Sequence, residues 1–141
     1  MAGTVKLYTH DVLSLATSLS QWPLNRQLPR HGAARSATCG STIELSLAVD
    51  DAARIAAIGL APQACAIGQA SAALFVRAVI GRNAIEIEAA LAAIQAWLKG
   101  EAQLPDWPGF GAIAAARDYP ARHGAITLAW EAALRALSSA A

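Results

Sequence analysis

Apolar positions between Val5 and Leu19, namely Tyr8, Val12, Leu15, Ala16 and Leu19, recur at steps of three and four. That spacing predicts a first helix with one buried face. Pro23, Pro29 and Gly32 exclude its continuation, so residues 21–37 are predicted as an extended connection with a short edge strand near its end. From Thr42 to Val49 the period becomes two, with Ile43, Leu45, Leu47 and Val49 on one side and Thr42, Glu44, Ser46 and Ala48 on the other. This is the pattern of a half-buried strand. Asp50 and Asp51 supply turn chemistry, and Arg54 to Leu60 returns antiparallel with Ile58 and Leu60 on one side, closed by Pro62.

Cys65 then opens a run from Ala66 to Ile80 whose small residues Gly68, Ala70, Ser71, Ala72 and Ala73 suit close helix packing. The uncharged stretch from Ile55 to Val76 is long enough to suggest a membrane span. Pro62, Gln63, Gln69 and its glycines break it, so it is read as a strand, a turn and a buried helix. Asn83 with Glu86 three residues later has the logic of a capping box, and Ile87, Leu91, Ile94 and Leu98 line one face of the helix that follows. Gly100 stands where a left-handed cap ends it. Pro105, Trp107 and Pro108 mark an irregular passage, followed by a short helix over Ala112 to Arg117 and an interruption at Pro120. A last helix runs from His123 to Leu137, spaced by Leu128, Ala132, Leu134 and Leu137, with Trp130 and Glu131 near its middle. Strands early and helices late predict an α+β domain, a small antiparallel sheet with helices packed on one face.

The length, 141 residues, fits one domain spanning 1–141. Eleven Lys and Arg against ten Asp and Glu, with the arginines dispersed, leave no basic stripe, and a nucleic-acid partner is not expected. Two cysteines are too few for a secreted disulfide framework, and no start resembling a signal peptide precedes the first amphipathic segment. A cytoplasmic setting, away from the membrane, is expected.

No Gly-x-Ser-x-Gly elbow, Walker loop or Gly-x-Gly-x-x-Gly cradle occurs, so an independent enzyme is not expected. The cysteines carry the candidate chemistry. Cys39 precedes the Thr42–Val49 strand within Thr38-Cys39-Gly40-Ser41, where Gly40 lets the backbone turn tightly around a sulfur. Cys65 stands just before a helix, where unpaired amide donors favour a thiolate. The competing reading of each is a small buried hydrophobe, the commonest fate of a free cysteine. His123, in Pro120-Ala121-Arg122-His123-Gly124, offers a third ligand if the three loops converge. A disulfide between Cys39 and Cys65 is a further possibility that requires Cα atoms within about 7 Å. Trp22, Trp97, Trp107 and Trp130 read as core or interface anchors, as do Trp107, Phe110 and Tyr119 within residues 101–119. His10 and His31 receive no role.

Taken together, Pro29-Arg30-His31 separated by seven residues from Cys39-Gly40, the hairpin, Cys65 opening a helix, and Pro120-Ala121-Arg122 before Thr127-Leu128-Ala129-Trp130 resemble the U-type iron-sulfur cluster assembly scaffolds. The likeness covers nearly the whole chain and is greatest to the SufU-like branch. It implies the SufE/NifU-like α+β fold, a transient iron-sulfur cluster or zinc held by three cysteines and an Asp, and sulfur received from a cysteine desulfurase for iron-sulfur acceptor proteins. Cys39 and Cys65 carry over as sulfur-accepting and metal-ligating residues. The family's Cys-Gly-Asp reads Cys39-Gly40-Ser41 here, its second Cys-Gly reads Cys65-Ala66, and its third cysteine falls on Ala125. His123, two residues before Ala125, is then the candidate replacement ligand. The resemblance therefore implies a scaffold-like protein handling metal or sulfur at Cys39 and Cys65. The alternative is a metal-free relative acting as an interaction or regulatory module, with a homodimer as one form.

Overall fold

The computed structural model describes residues 7–139. Helix α1 (His10–Ser18) starts at Thr9, whose hydroxyl accepts the Val12 amide at 3.2 Å, and it buries Val12 and Leu15. A 3-10 turn over Leu19–Gln21 ends it. Val5, which the spacing assigned to this helix, lies outside the described residues.

Three strands follow, β1 (Arg30–Arg35), β2 (Thr42–Val49) and β3 (Ile55–Gln63), paired antiparallel in the order β1-β2-β3. Ala34 stands opposite Ile43 and Leu45 opposite Leu60. Ile43, Leu45 and Leu47 enter the core as their alternation predicts. Three details differ from the sequence pattern. Ser46, predicted on the solvent side, is fully buried because the connection before β1 crosses over it. Its hydroxyl donates to the Asn25 carbonyl at 2.7 Å and accepts the Asn25 amide at 3.3 Å, while the Leu60 amide donates to the Trp22 carbonyl. The register shifts between Ala48 and Val49, and this irregularity pairs Val49 with Ile55, which turns into the core. Finally, β3 runs through Pro62 to Gln63 instead of closing at the proline. It is an edge strand, where a missing amide donor is tolerated.

Helix α2 (Ala66–Ala78) is buried along most of its length and carries no charge before Arg77. Among the described residues no helix is long and apolar enough to cross a membrane. Helix α3 (Ala84–Leu98) has the predicted capping box, with Asn83 Oδ1 accepting the Glu86 amide and Glu86 Oε1 accepting the Asn83 amide, both at 3.0 Å. At its end the Gly100 amide donates to the Trp97 carbonyl and the Glu101 amide to the Ala96 carbonyl. These are the two bonds of a Schellman cap, with Gly100 at φ +77°.

Beyond α3 the predicted short helix is a 3-10 segment, Phe110–Asp118, followed by a 3-10 turn at Pro120–Arg122. The single last helix is two pieces, α4 (His123–Ile126) and α5 (Leu128–Ser138). The break coincides with the Ser71 hydroxyl donating to the Ile126 carbonyl at 2.6 Å, while Thr127 Oγ1 donates to Glu131 Oε2. Trp130 consequently sits in the first turn of α5 and not near a helix middle.

Helix α5 lies across β1 and β2. Arg135 donates to the Ala33 carbonyl at 2.6 Å and Arg30 to the Leu137 carbonyl at 2.8 Å, which ties the helix to the sheet edge. The core centres on Trp130, edge-on to Phe75 at 5.1 Å and to Trp107 at 5.3 Å, with Phe110 at 6.2 Å. Such pairs each contribute about 0.5–1.5 kcal/mol beyond area burial. Trp107 also donates to the Leu74 carbonyl at 2.8 Å, and the Arg82 guanidinium lies 4.1 Å above its ring. Trp97, Trp107, Trp130 and Phe110 are thus core residues, while Trp22 and Tyr119 are half-buried against them. The expected architecture is the observed one, an α+β domain with helices packed against the sheet.

Candidate functional site

The turn from β1 to β2 is built around Ser36. Its amide donates to the Ser41 carbonyl at 2.8 Å and its carbonyl accepts the Gly40 amide at 3.3 Å, closing the loop on itself. Gly40 takes φ +72°, a conformation that side chains resist, so the glycine is what lets the loop close. Ser36 and Ser41 are buried while Cys39 is exposed at the loop tip.

The Cys39 sulfur lies 3.1 Å from Ser41 Oγ and 3.3 Å from Ser36 Oγ. A thiol donates to these hydroxyls; a thiolate accepts from them. The arrangement holds the Cys39 thiol below its ordinary pKa, through the Ser36 hydroxyl first and the Ser41 hydroxyl second. Slight burial opposes this, and the Ser41 backbone and the Arg122 charge assist it.

Cys65 is the N-cap residue of α2 and is half-buried. Its side chain makes no capping bond, and its carbonyl accepts the Gln69 amide at 2.9 Å. The sulfur therefore stands beside the amide-rich, positive end of a buried helix.

Arg122 links the two cysteine segments. Its Nη2 donates to the Tyr8 hydroxyl at 2.9 Å. Its pKa is raised, chiefly by Tyr8, with further contributions from the charges of Cys65 and Cys39. The same guanidinium lies within electrostatic reach of both cysteines. Its Nε is buried and has no hydrogen-bond partner among the described residues.

Residues 124 and 125, where the resemblance leads one to expect a third cysteine, pack against both cysteine segments. Gly124 faces the Cys39 loop so closely that a methyl group there would overlap the Ser36 hydroxyl and lie 2.9 Å from Thr38 Oγ1. Ala125 is buried, with its Cβ against Gly68 in the first turn of α2, just beyond Cys65. The three loops of the sequence motif therefore converge, with Ser41 bonded to the Cys39 sulfur and Ala125 beside the Cys65 helix. His123 is half-buried, and its Nε2 lies 2.7 Å from the Arg117 carbonyl. Among the described residues, no three His, Cys, Asp or Glu side chains gather into a group that could hold a metal ion.

Sequence patterns gave no role to Ser36 and no site role to Arg122, and Tyr8, expected on the buried face of the first helix, instead stands exposed before α1. A serine three residues before a cysteine is a legible hint of a turn-closing hydroxyl. The contact between Tyr8 and Arg122 has no local signal, because 114 positions separate the two residues.

A family model described as NifU-like N terminal domain matches residues 21–124. Among solved structures, the N-terminal part of a nitrogen-fixing NifU-like protein from Brucella abortus superposes with a TM-score of 0.86 at 27% identity, covering 96% of this chain and 94% of that one. A protein from Fervidobacterium islandicum AW-1, described as an iron-sulfur cluster assembly scaffold for the SUF system, gives 0.82 at 18% identity, covering 94% and 97%. The second likeness speaks for the fold alone. No curated protein sequence matches the chain.

Proposed function

Because the chain belongs to the NifU-like N-terminal domain family, we propose that it serves iron-sulfur cluster assembly and handles sulfur or metal at Cys39 and Cys65. The observation that supports this most is the packing of residues 124 and 125 against both cysteine segments, Gly124 on Ser36 of the Cys39 loop and Ala125 on Gly68 at the start of α2. Cys39 supplies the nucleophilic sulfur. Two neighbouring hydroxyls and a cation favour its thiolate, which is the form that takes sulfur from a persulfide or binds a soft metal. The protein acts as a carrier, with a cysteine desulfurase as sulfur donor and iron-sulfur proteins as acceptors, in a reducing cytoplasm where both thiols stay free.

A second function, a metal-free interaction or regulatory module, is favoured by one feature. Ser41 offers a neutral hydroxyl where relatives of the resembled family have a carboxylate, and Ala125 offers no donor at all.

Anaerobic purification followed by analysis for zinc, iron and acid-labile sulfide, together with sulfur transfer from a cysteine desulfurase, separates the two. The wild type is expected to acquire sulfur or metal and the Cys39→Ser, Cys65→Ser double variant is not. Equal loading of both proteins, or none in either, would sink the first proposal.

A further inference from the structure

Zinc and a nascent cluster can be tested against the donor set at this site, and the residues do not fit either. A closed zinc site takes four ligands from Cys, His, Asp or Glu, and clusters are held mainly by thiolates. Here the two thiols are accompanied by the Ser41 hydroxyl and the Ala125 methyl, and His123 points its Nε2 at the Arg117 carbonyl. The groups that do surround Cys39 are of another kind. Ser36 and Ser41 present hydroxyls at 3.3 and 3.1 Å, and Arg122 brings a cation within electrostatic reach of the sulfur. Hydroxyl donors and a guanidinium suit an anion centred on sulfur.

We infer that this chain carries sulfane sulfur without a metal: Cys39 holds it as a persulfide, with the Ser36 and Ser41 hydroxyls and the Arg122 guanidinium in place of metal ligands. The inference rests on the proposed function and narrows it from metal or sulfur to sulfur alone. The Cys39 thiolate attacks the outer sulfur of a donor persulfide. A bond forms between Cys39 Sγ and that sulfur, the donor's own sulfur–sulfur bond breaks, and the donor departs as a thiolate. The donor thiolate takes up a proton equivalent to the one Cys39 gave up. The sulfane sulfur keeps its oxidation state throughout, so no oxidant or reductant is needed. The outer sulfur of the product is itself an anion at neutral pH, and Arg122 is a cation within electrostatic reach of Cys39. Ser36 and Ser41 act as positioning residues through the inner sulfur.

The test uses the full-length protein, treated anaerobically with the chelator diethylenetriaminepentaacetate and then with glutathione persulfide as donor. Peptide mass spectrometry reads the gain of one sulfur on Cys39, and elemental analysis reads zinc and iron. Loading of Cys39 is expected in the chelated protein, at a rate that added zinc leaves unchanged. Ser36→Ala and Ser41→Ala are each expected to slow it roughly tenfold, the equivalent of one hydrogen bond to a charged group. Arg122→Gln is expected to shorten the lifetime of the persulfide. Alkylation of Cys65 by iodoacetamide in the same samples should not change, which distinguishes a role at Cys39 from general loosening of the fold. Stoichiometric zinc in the purified protein, with sulfur loading lost on chelation, overturns the inference and leaves the proposed function standing. Loading that ignores Cys39 and Cys65 alike, with no metal bound, overturns both.

Discussion

Gly124 packs against Ser36 with no room for a side chain between them: a methyl at position 124 would occupy the place of the Ser36 hydroxyl. The start of α4 is therefore in register with the loop that carries Cys39, and the absence of a Cβ at 124 is what lets the Ser36 hydroxyl reach the sulfur. Gly124→Ala is expected to displace Ser36, destabilise the fold by about 1–3 kcal/mol and slow Cys39 alkylation. Urea unfolding and iodoacetamide kinetics on the same variant check both parts. Stability and reactivity equal to wild type would contradict the contact.

Cys39 should remain reactive at lower pH than an ordinary thiol. Its pKa is depressed in the folded chain, so the thiolate is already populated on the acid side of the usual thiol range. The largest single cause is the Ser36 hydroxyl. Ser36→Ala should therefore move the midpoint of the alkylation rate against pH upward. A profile measured on chelator-treated protein tests this, and a midpoint that stays in place or falls counts against it.

At the other end of the molecule, the Glu86 carboxyl is held below the usual carboxylate range, first by the Asn83 amide and then by Arg54 at 2.9 Å. A depressed carboxyl stabilises the fold fully above its unfolded pKa, and that contribution is lost as pH falls through the folded one. Glu86→Gln should lower stability at neutral pH and flatten its dependence in the acid range. Urea midpoints measured from neutral to acid pH would show the two proteins converging. Because Glu86 is exposed, the change is expected to be small.

Restoring the resembled family's ligands should change what the site binds. In the Ser41→Asp, Ala125→Cys double variant a carboxylate replaces the hydroxyl beside Cys39, and a third sulfur enters beside the first turn of α2. Such a set has the composition of a closed zinc site. Elemental analysis should find zinc in the variant and none in the wild type. Zinc in both, or in the wild type alone, would show that Ser41 and Ala125 are not what limits metal binding.

Trp107→Ala removes a ring stacked on Phe75 at 5.9 Å, its edge contact with Trp130, the bond to the Leu74 carbonyl and the ring beneath Arg82. A loss of about 3–5 kcal/mol is expected in urea unfolding. A loss below about 1 kcal/mol, the range of an ordinary surface substitution, would mean that residues 101–109 are not anchored through this tryptophan.

Much of the architecture is legible because its causes are local. The alternation in Thr42–Val49, the box between Asn83 and Glu86, and the glycine after Lys99 each act within a few residues, and each appears where its pattern lies. The burial of Ser46, the irregular register before Val49 and the break at Thr127 depend on distant partners, namely Asn25, the opposing strand and Ser71. Periodicity carries no information about such partners.

The site divides along the same line. The amino-acid sequence by itself determined which residues have the chemistry: two cysteines at element boundaries, and a serine, an alanine and a histidine near where the resemblance leads one to expect further ligands. Only the tertiary structure decided their surroundings. It set Ser36 and Ser41 on the Cys39 sulfur, brought Arg122 within electrostatic reach of both cysteines, and directed His123 to the Arg117 carbonyl. A side chain's type follows from its codon, whereas its partners follow from how β1, α2 and the turn before α4 pack. That packing is specified by buried contacts between residues far apart in the chain.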